Sequence, residues 1–361
     1  MKDFIDRCID NVAALQCFGN SHFSDGLFPS YRENIRLGYR REDATVFFSS
    51  IICFSLQEIA INCSFETRNK IAVVHQKVVR NYPEYQNKDG LATYNFWKTK
   101  PSQHFPNGYL FKNSLHFKIP DDIDDTAFVY LNTFKNKEED LWLKRKLQQH
   151  ANNSNQQIKN TFEDCKSLKA YSTWFGDKMY IEFDACALSN ILYWVFSKGL
   201  ELSDNDKDSL YYIKRIIETD RYLTVPFYCA HHYPRTSLII YHVSRLISKF
   251  DPVILKPIKE KLIFDSELLL KETSIPMEQV LLSIALLRLG KRPQYVAVEN
   301  FTNREFKGFY FFIAGLLTAY ENKILYKIAP HPVFHMNWYC EAHCWVLLAE
   351  YQNLYLNFKI T

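Results

Sequence analysis

The sequence has no apolar run of membrane-spanning length; the nearest, "FKGFYFFIAGLLTAY" over 306–320, is short and interrupted. It has no marked excess of charge either. A net +4 over 361 residues is too mild to argue for nucleic acid or an anionic membrane as a partner. No secretory signal opens it, since "MKDFIDRCID" carries charges throughout. The nine cysteines are odd in number and mostly lie in apolar helical patterns, so no disulfide framework is implied. Together these absences predict a reduced, cytoplasmic protein with free buried thiols. Strand alternation is scarce, "KMYIEF" (178–183) being the best candidate, and no repeat of fixed period is visible.

What the sequence does have is helical periodicity and rings. Apolar residues make up 47 %, enough for a sizeable core. Apolar i, i+3, i+4 patterns predict helices near 3–18, 43–62, 67–81, 124–148, 184–199, 205–219, 236–249, 254–272, 275–290, 307–320 and 338–355. Helices of similar length with modest loops suggest stacked pairs, either an open solenoid or a closed α/α toroid. Two long aromatic connections, 82–120 and 220–236, favour the closed form, because such loops build sites. The expectation is therefore an all-α fold, one toroidal domain over 1–361, with its site at one mouth. Aromatic residues reach 16 %, a surplus that can line a pocket for an apolar or cationic ligand.

One stretch concentrates charge. "KIPDDIDDTAFVYL" (118–131) places Asp121, Asp122, Asp124 and Asp125 behind Pro120 and ahead of an apolar run. Proline disfavours helix in the residue before it, so the acids belong to a helix N-terminus, where free N–H groups and the dipole tolerate carboxylates. Capping alone explains one or two of them. At about 100° per residue, Asp121, Asp124 and Asp125 share roughly a third of the circumference, and crowding with burial raises a carboxyl pKa. A carboxyl kept protonated at neutral pH is a general acid. The same letters resemble the D-D-x-x-D pattern of class I terpene synthases, which implies magnesium held against a diphosphate, but that pattern needs a helix where Pro120 stands. Calcium is disfavoured, since no glycine or glutamate follows at EF-hand spacing.

"DIDDTA" (Asp122–Ala127) resembles the D-x-D-D-T-A motif of class II terpene cyclases. The resemblance implies protonation-initiated cyclisation of a linear prenyl diphosphate or isoprenoid, with Asp124 as donor and Asp122 and Asp125 orienting it. Such chemistry needs an acid shielded from water and aromatic faces for the cation. Tyr94, Trp97, Trp174 and Tyr228 are candidate rings, with Arg235 and His232 as polar substrate contacts. Arg32, Arg36, Lys98 and Lys100 are further basic candidates for a diphosphate, and nothing in their spacing selects among them. With a diphosphate substrate, Mg2+ would be the expected cofactor; no protein metal ligands are assigned. The glutamine–tryptophan repeats of the squalene–hopene group are absent, and the length allows one toroid. A partner chain or homodimer would then help close the cavity.

Three other constellations compete. "FDAC" resembles the zinc pair of prenyltransferase β-subunits, with Asp184 and Cys186 as ligands; the plain alternative is an N-cap and a buried thiol. "HPVFHMNWYCEAHCW" gathers His331, His335, Cys340, His343 and Cys344 at spacings foreign to a zinc finger. A histidine of "HHYPR" (231–235) could hydrogen-bond Asp124 and tune it. A non-catalytic toroid that binds a lipid or a partner helix is the alternative of a different class.

Overall fold

The computed structural model describes residues 2–19, 22–103, 118–176, 179–318 and 320–359. Part of the 82–120 connection (104–117) and Lys178 of the expected strand lie outside them. The described residues are mostly helical, with a four-stranded antiparallel sheet. Helices of ten or more residues are α1 (Lys2–Leu15), α2 (Val46–Ala60), α3 (Phe65–Val79), α4 (Ile123–Asn132), α5 (Lys137–Gln149) and α6 (Ala185–Ser197). They continue with α7 (Asp204–Glu218), α8 (Thr236–Phe250), α9 (Lys259–Glu272), α10 (Pro276–Arg288) and α11 (Glu341–Leu356).

Six of them pack in a cycle: α2 on α4, α4 on α6, α6 on α8, α8 on α10, α10 on α11, and α11 back on α2. Their sequences explain the position. Helices α2, α4, α6 and α8 are buried on nearly every face, and α2 and α6 are apolar nearly all round, as a helix inside must be. Four helices lie outside: α1 against α11 and α3, α3 against α2, α7 against α6, and α9 against α10 and α8. A buried ion pair, Lys144 to Asp206, ties α5 to α7.

The sheet departs from the all-α expectation. Its strands are β1 (Tyr31–Asn34), β2 (Tyr39–Glu42), β3 (Phe312–Gly315) and β4 (His335–Tyr339), in the order β2-β1-β4-β3. Segments near both chain ends thus pair with each other. The expected helix over 307–320 is instead a turn region and β3. Its apolar aromatic run has no decisive period, and pairing with β4 settles it. Register puts Arg41, Arg32, Trp338 and Phe312 directly across from one another in one row, hence on one face.

Two further expectations change. The helix expected over 124–148 breaks at Thr133–Asn136, where Asn136 and Glu139 form a capping box that starts α5. "KMYIEF" forms no strand among its described residues. Within it, Glu182 accepts from the Thr173 amide (2.9 Å) and donates its own amide to Ser172 Oγ (3.2 Å). All nine cysteines carry free thiols. No helix among the described residues is long and apolar enough to cross a membrane.

Candidate active site

The N-terminal end of α4 follows from its sequence. Asp122 is the N-cap in extended geometry (φ −131°, ψ 163°), and its Oδ1 accepts from the amides of Asp124 (3.0 Å) and Asp125 (2.8 Å). Capping thus accounts for Asp122. Asp121 precedes the cap, and its carboxylate accepts from Asn87 Nδ2 (2.6 Å), Thr93 Oγ1 (2.5 Å) and Asn95 Nδ2 (3.4 Å). It pins the 87–95 loop rather than joining the helical acids, so the expected grouping of Asp121 with Asp124 and Asp125 is not found.

Asp122, Asp124 and Asp125 border a cavity of about 80 Å³. Its other walls include Phe47, Phe96, Trp97, Trp174, Phe312 and Trp338. Lining residues come from the N-terminal ends of α2 (Phe47), α4 and α6 (Ala187), and from just ahead of α8 (Tyr233) and α11 (Trp338). Several helix N-termini therefore face the acids, a field that favours negative charge there.

The three carboxyls are not equivalent. Asp124 accepts from Asn190 Nδ2 at Oδ1 (2.6 Å) and from the Tyr233 hydroxyl at Oδ2. Asn190 Oδ1 in turn accepts from Arg245. Burial pushes Asp124 up to about 6, held in check by the Tyr233 and Asn190 hydrogen bonds. Asp125 is 1 % exposed, and its Oδ1 has no hydrogen-bond partner. Burial and then the neighbouring Asp122 charge drive its pKa well above the carboxylate range. Asp122 itself is pushed up to about 7 by burial. The two share a hydrogen bond, and of the pair Asp125 is the one pushed well above the carboxylate range.

Across the cavity, His232 Nε2 lies 2.7 Å from Glu182 Oε1, and His231 Nδ1 lies 3.2 Å from Oε2. The Tyr180 hydroxyl donates to Glu182 Oε2 (3.1 Å). Burial opposes charge on His232, yet Glu182 outweighs it and pushes the imidazole up to about 10. Burial would also raise Glu182, but the two histidines hold it well below the usual range. His232 therefore presents a cation, edge-on to Trp174 at 5.5 Å.

Of the substrate-contact candidates, Trp97, Trp174 and His232 line the cavity. The other three do not. The Tyr94 ring packs on Tyr82 and Tyr130, while its carbonyl accepts from the Asp122 amide (3.2 Å). Tyr228 donates to the Lys327 carbonyl (3.3 Å) within a separate apolar cluster. Arg235 is held by Glu278 (3.1 Å) and the Tyr310 carbonyl, over the Tyr310 ring. The tuning role expected of a histidine in "HHYPR" falls to the next residue, Tyr233. Sequence reasoning also missed Asn190 and Glu182. Each is a polar residue inside an apolar run ("LSNILYW", "YIEFDA"), and that was the available signal.

Of the acids that spell the magnesium pattern, Asp121 is bound by three side-chain donors, Asp122 caps α4, and Asp125 is buried with its carboxyl pushed well above the carboxylate range. Asp184 caps α6, accepting from the amides of Cys186 (2.8 Å), Ala187 (3.1 Å) and His232 (2.8 Å). Among the described residues, no group of three His, Cys, Asp or Glu is placed to hold a metal, in "FDAC" or in the 331–345 segment. No protein-family model matches this sequence, and comparisons with curated proteins and with solved structures return no match.

Proposed function

We propose that this chain is a proton-initiated isoprenoid cyclase on a single α/α-toroid frame. The cyclic packing of six inner helices supports the frame. The observation that carries the function is the pair of buried carboxyls, Asp124 and Asp125, on a cavity walled largely by rings. Protonating an alkene needs an acid whose conjugate base is stabilised and from which water is excluded. Asp124 meets the first condition through Asn190 and Tyr233. Beside it, Asp125, pushed well above the carboxylate range, re-supplies the proton.

In the step itself, the Asp124 O–H bond breaks and its proton adds to the terminal alkene carbon. The neighbouring carbon becomes a cation, and Asp124 becomes carboxylate. The π electrons of the next alkene close the ring. Loss of a proton or capture of water ends the cascade. The faces of Phe312, Trp338 and Phe96 stabilise the moving cation by roughly 0.5–2 kcal/mol each. At about 80 Å³ the cavity is smaller than the roughly 150 Å³ engineered cavity that takes benzene. It suits the terminal unit of an isoprenoid, the part that must meet the acid.

The test is incubation with farnesyl diphosphate, geranylgeranyl diphosphate and a squalene-type hydrocarbon, with products read by gas chromatography and mass spectrometry. A cyclised product that disappears in Asp124→Asn is expected. No cyclised product from any of the three would leave a non-catalytic binding protein.

A further inference from the structure

Asp43 is the first residue after β2, and Ser30 pins its main chain on both sides. The Asp43 amide donates to the Ser30 carbonyl (2.9 Å), and Ser30 Oγ donates to the Asp43 carbonyl. The residue is 3 % exposed, and a buried carboxylate is costly unless donors meet it. Here the donors are two indoles. Trp338 Nε1 donates to Oδ2 (2.8 Å), and Trp97 Nε1 is shared between Oδ1 and Oδ2 (3.2 Å each). Burial raises the Asp43 carboxyl, while the Arg32 charge and these two N–H groups oppose the rise. Arg32 stands directly opposite Trp338 on β1 and lies 5.5 Å from the centroid of Trp97.

Both indoles line the cavity, although Trp97 and Trp338 lie 54 and 295 residues from Asp43. One carboxylate thus locks a loop residue and a strand residue into a single wall. Trp338 extends that wall to Phe312 (5.3 Å, 17°), and Trp97 extends it to Phe96 (5.3 Å, 62°). An indole is the aromatic group that best attracts a cation. A hydrogen bond to an ionised acceptor is roughly twice as strong as a neutral one. It also polarises its donor in a low-dielectric interior, moving electron density from the N–H into the ring.

We propose that Asp43 is a positioning residue of this cavity: it sets Trp97 and Trp338 as one wall and makes that wall prefer a cationic ligand to a neutral one of the same shape. Its use on a migrating cation rests on the cyclase reading above; the wall itself rests on the indole hydrogen bonds. Arg32 already meets Trp97 as a cation, so the preference falls mainly on Trp338, whose bond to Asp43 is the shorter.

The probes are choline and 3,3-dimethylbutan-1-ol, which share a shape and differ by a charge. Each is titrated into the full chain and followed by calorimetry and tryptophan fluorescence. The wild type should bind choline the more tightly. Asp43→Asn keeps an acceptor oxygen for the indoles and removes the charge. It should weaken choline about three- to thirtyfold and leave the alcohol unchanged. The same variant strips Arg32 of its counter-charge; should it fail to fold, Trp338→β-(3-benzothienyl)alanine decides instead. That side chain keeps the fused ring and lacks the N–H, and the same selective loss is expected. Equal loss of both probes, unchanged choline affinity, or no choline binding to the wild type overturns the proposal. Selective loss of choline in a protein that yields no cyclised product would keep the wall and sink the cyclase. A cyclised product, with choline bound equally by wild type and Asp43→Asn, would do the reverse.

Discussion

Asn190 donates through Nδ2 to Oδ1 of Asp124 at 2.6 Å, joining the first turn of α4 to the middle of α6. Its carbonyl oxygen accepts from Arg245 on α8, so one amide couples three inner helices. Hydrogen bonds to a charged group contribute about 1.5–3 kcal/mol, equivalent to roughly one to two pKa units. Asn190→Ala should raise Asp124 from about 6 by that amount. The check is the carboxyl carbon shift of Asp124 across pH. A titration midpoint that stays near 6 would mean this contact does not control the acid.

The Glu182–His232 pair makes stability depend on pH. His232 is raised to about 10, so its contribution is complete below its ordinary value near 6.5 and is lost as pH rises through about 10. Glu182 is depressed, so its contribution is present above about 4.5 and is lost as pH falls through its lower folded value. Urea midpoints should therefore fall between pH 6.5 and 10. In His232→Gln that slope should flatten and the whole curve should lie lower, because Glu182 loses a buried partner.

Much of the frame was readable in the sequence. The inner helices α2 and α6 announce themselves as runs apolar on nearly every side, and Pro120 placed the acids at a helix start. The sheet was not readable. β1 and β4 pair residues about 300 apart, and neither strand alternates long enough to stand out locally. The motif led to Asp124, but not to which acid holds the proton. That depends on Asn190 and Tyr233, which lie 66 and 109 residues away. Arg235 and Tyr228 sat in a site-forming segment and were claimed instead by Glu278 and Lys327. Loop membership put residues near the site without saying which way they face.

The protonation states of Asp122 and Asp125 can be separated by amide substitution. Asparagine is a neutral isostere of a protonated aspartate. Asp125→Asn should therefore leave the unfolding free energy from urea titration within about 0.5 kcal/mol of wild type while abolishing turnover. Were Asp125 ionised in the folded state, the same change would relieve a buried charge and stabilise markedly. Asp122→Asn keeps a good N-cap, whereas Asp122→Ala should cost about 1 kcal/mol.

Turnover should rise as pH falls. Asp124 is pushed up to about 6, so the protonated fraction that can donate is small at pH 7.5 and grows toward pH 6. The expected acid limb of kcat has its midpoint near 6. A flat profile from pH 5.5 to 8 would point to Asp125 as the donor, since burial and the Asp122 charge push its carboxyl well above the carboxylate range.

Phe312 tests whether the rings act on a cation or only fill space. Its ring lies 5.3 Å from Trp338 at 17°, and meets Phe47 edge-on at 4.8 Å and Phe96 edge-on at 5.5 Å. Leucine keeps an apolar side chain but removes a π face worth roughly 0.5–2 kcal/mol to a nearby cation. Phe312→Leu should lower kcat by about two- to thirtyfold. It should also shift products toward species released early in the cascade, with little change in the amount of substrate bound. Calorimetric affinity and product analysis on the same variant make the distinction. A passive lipid site would instead show an affinity loss with no product to redistribute, because a ground-state hydrocarbon carries no charge for the ring to stabilise.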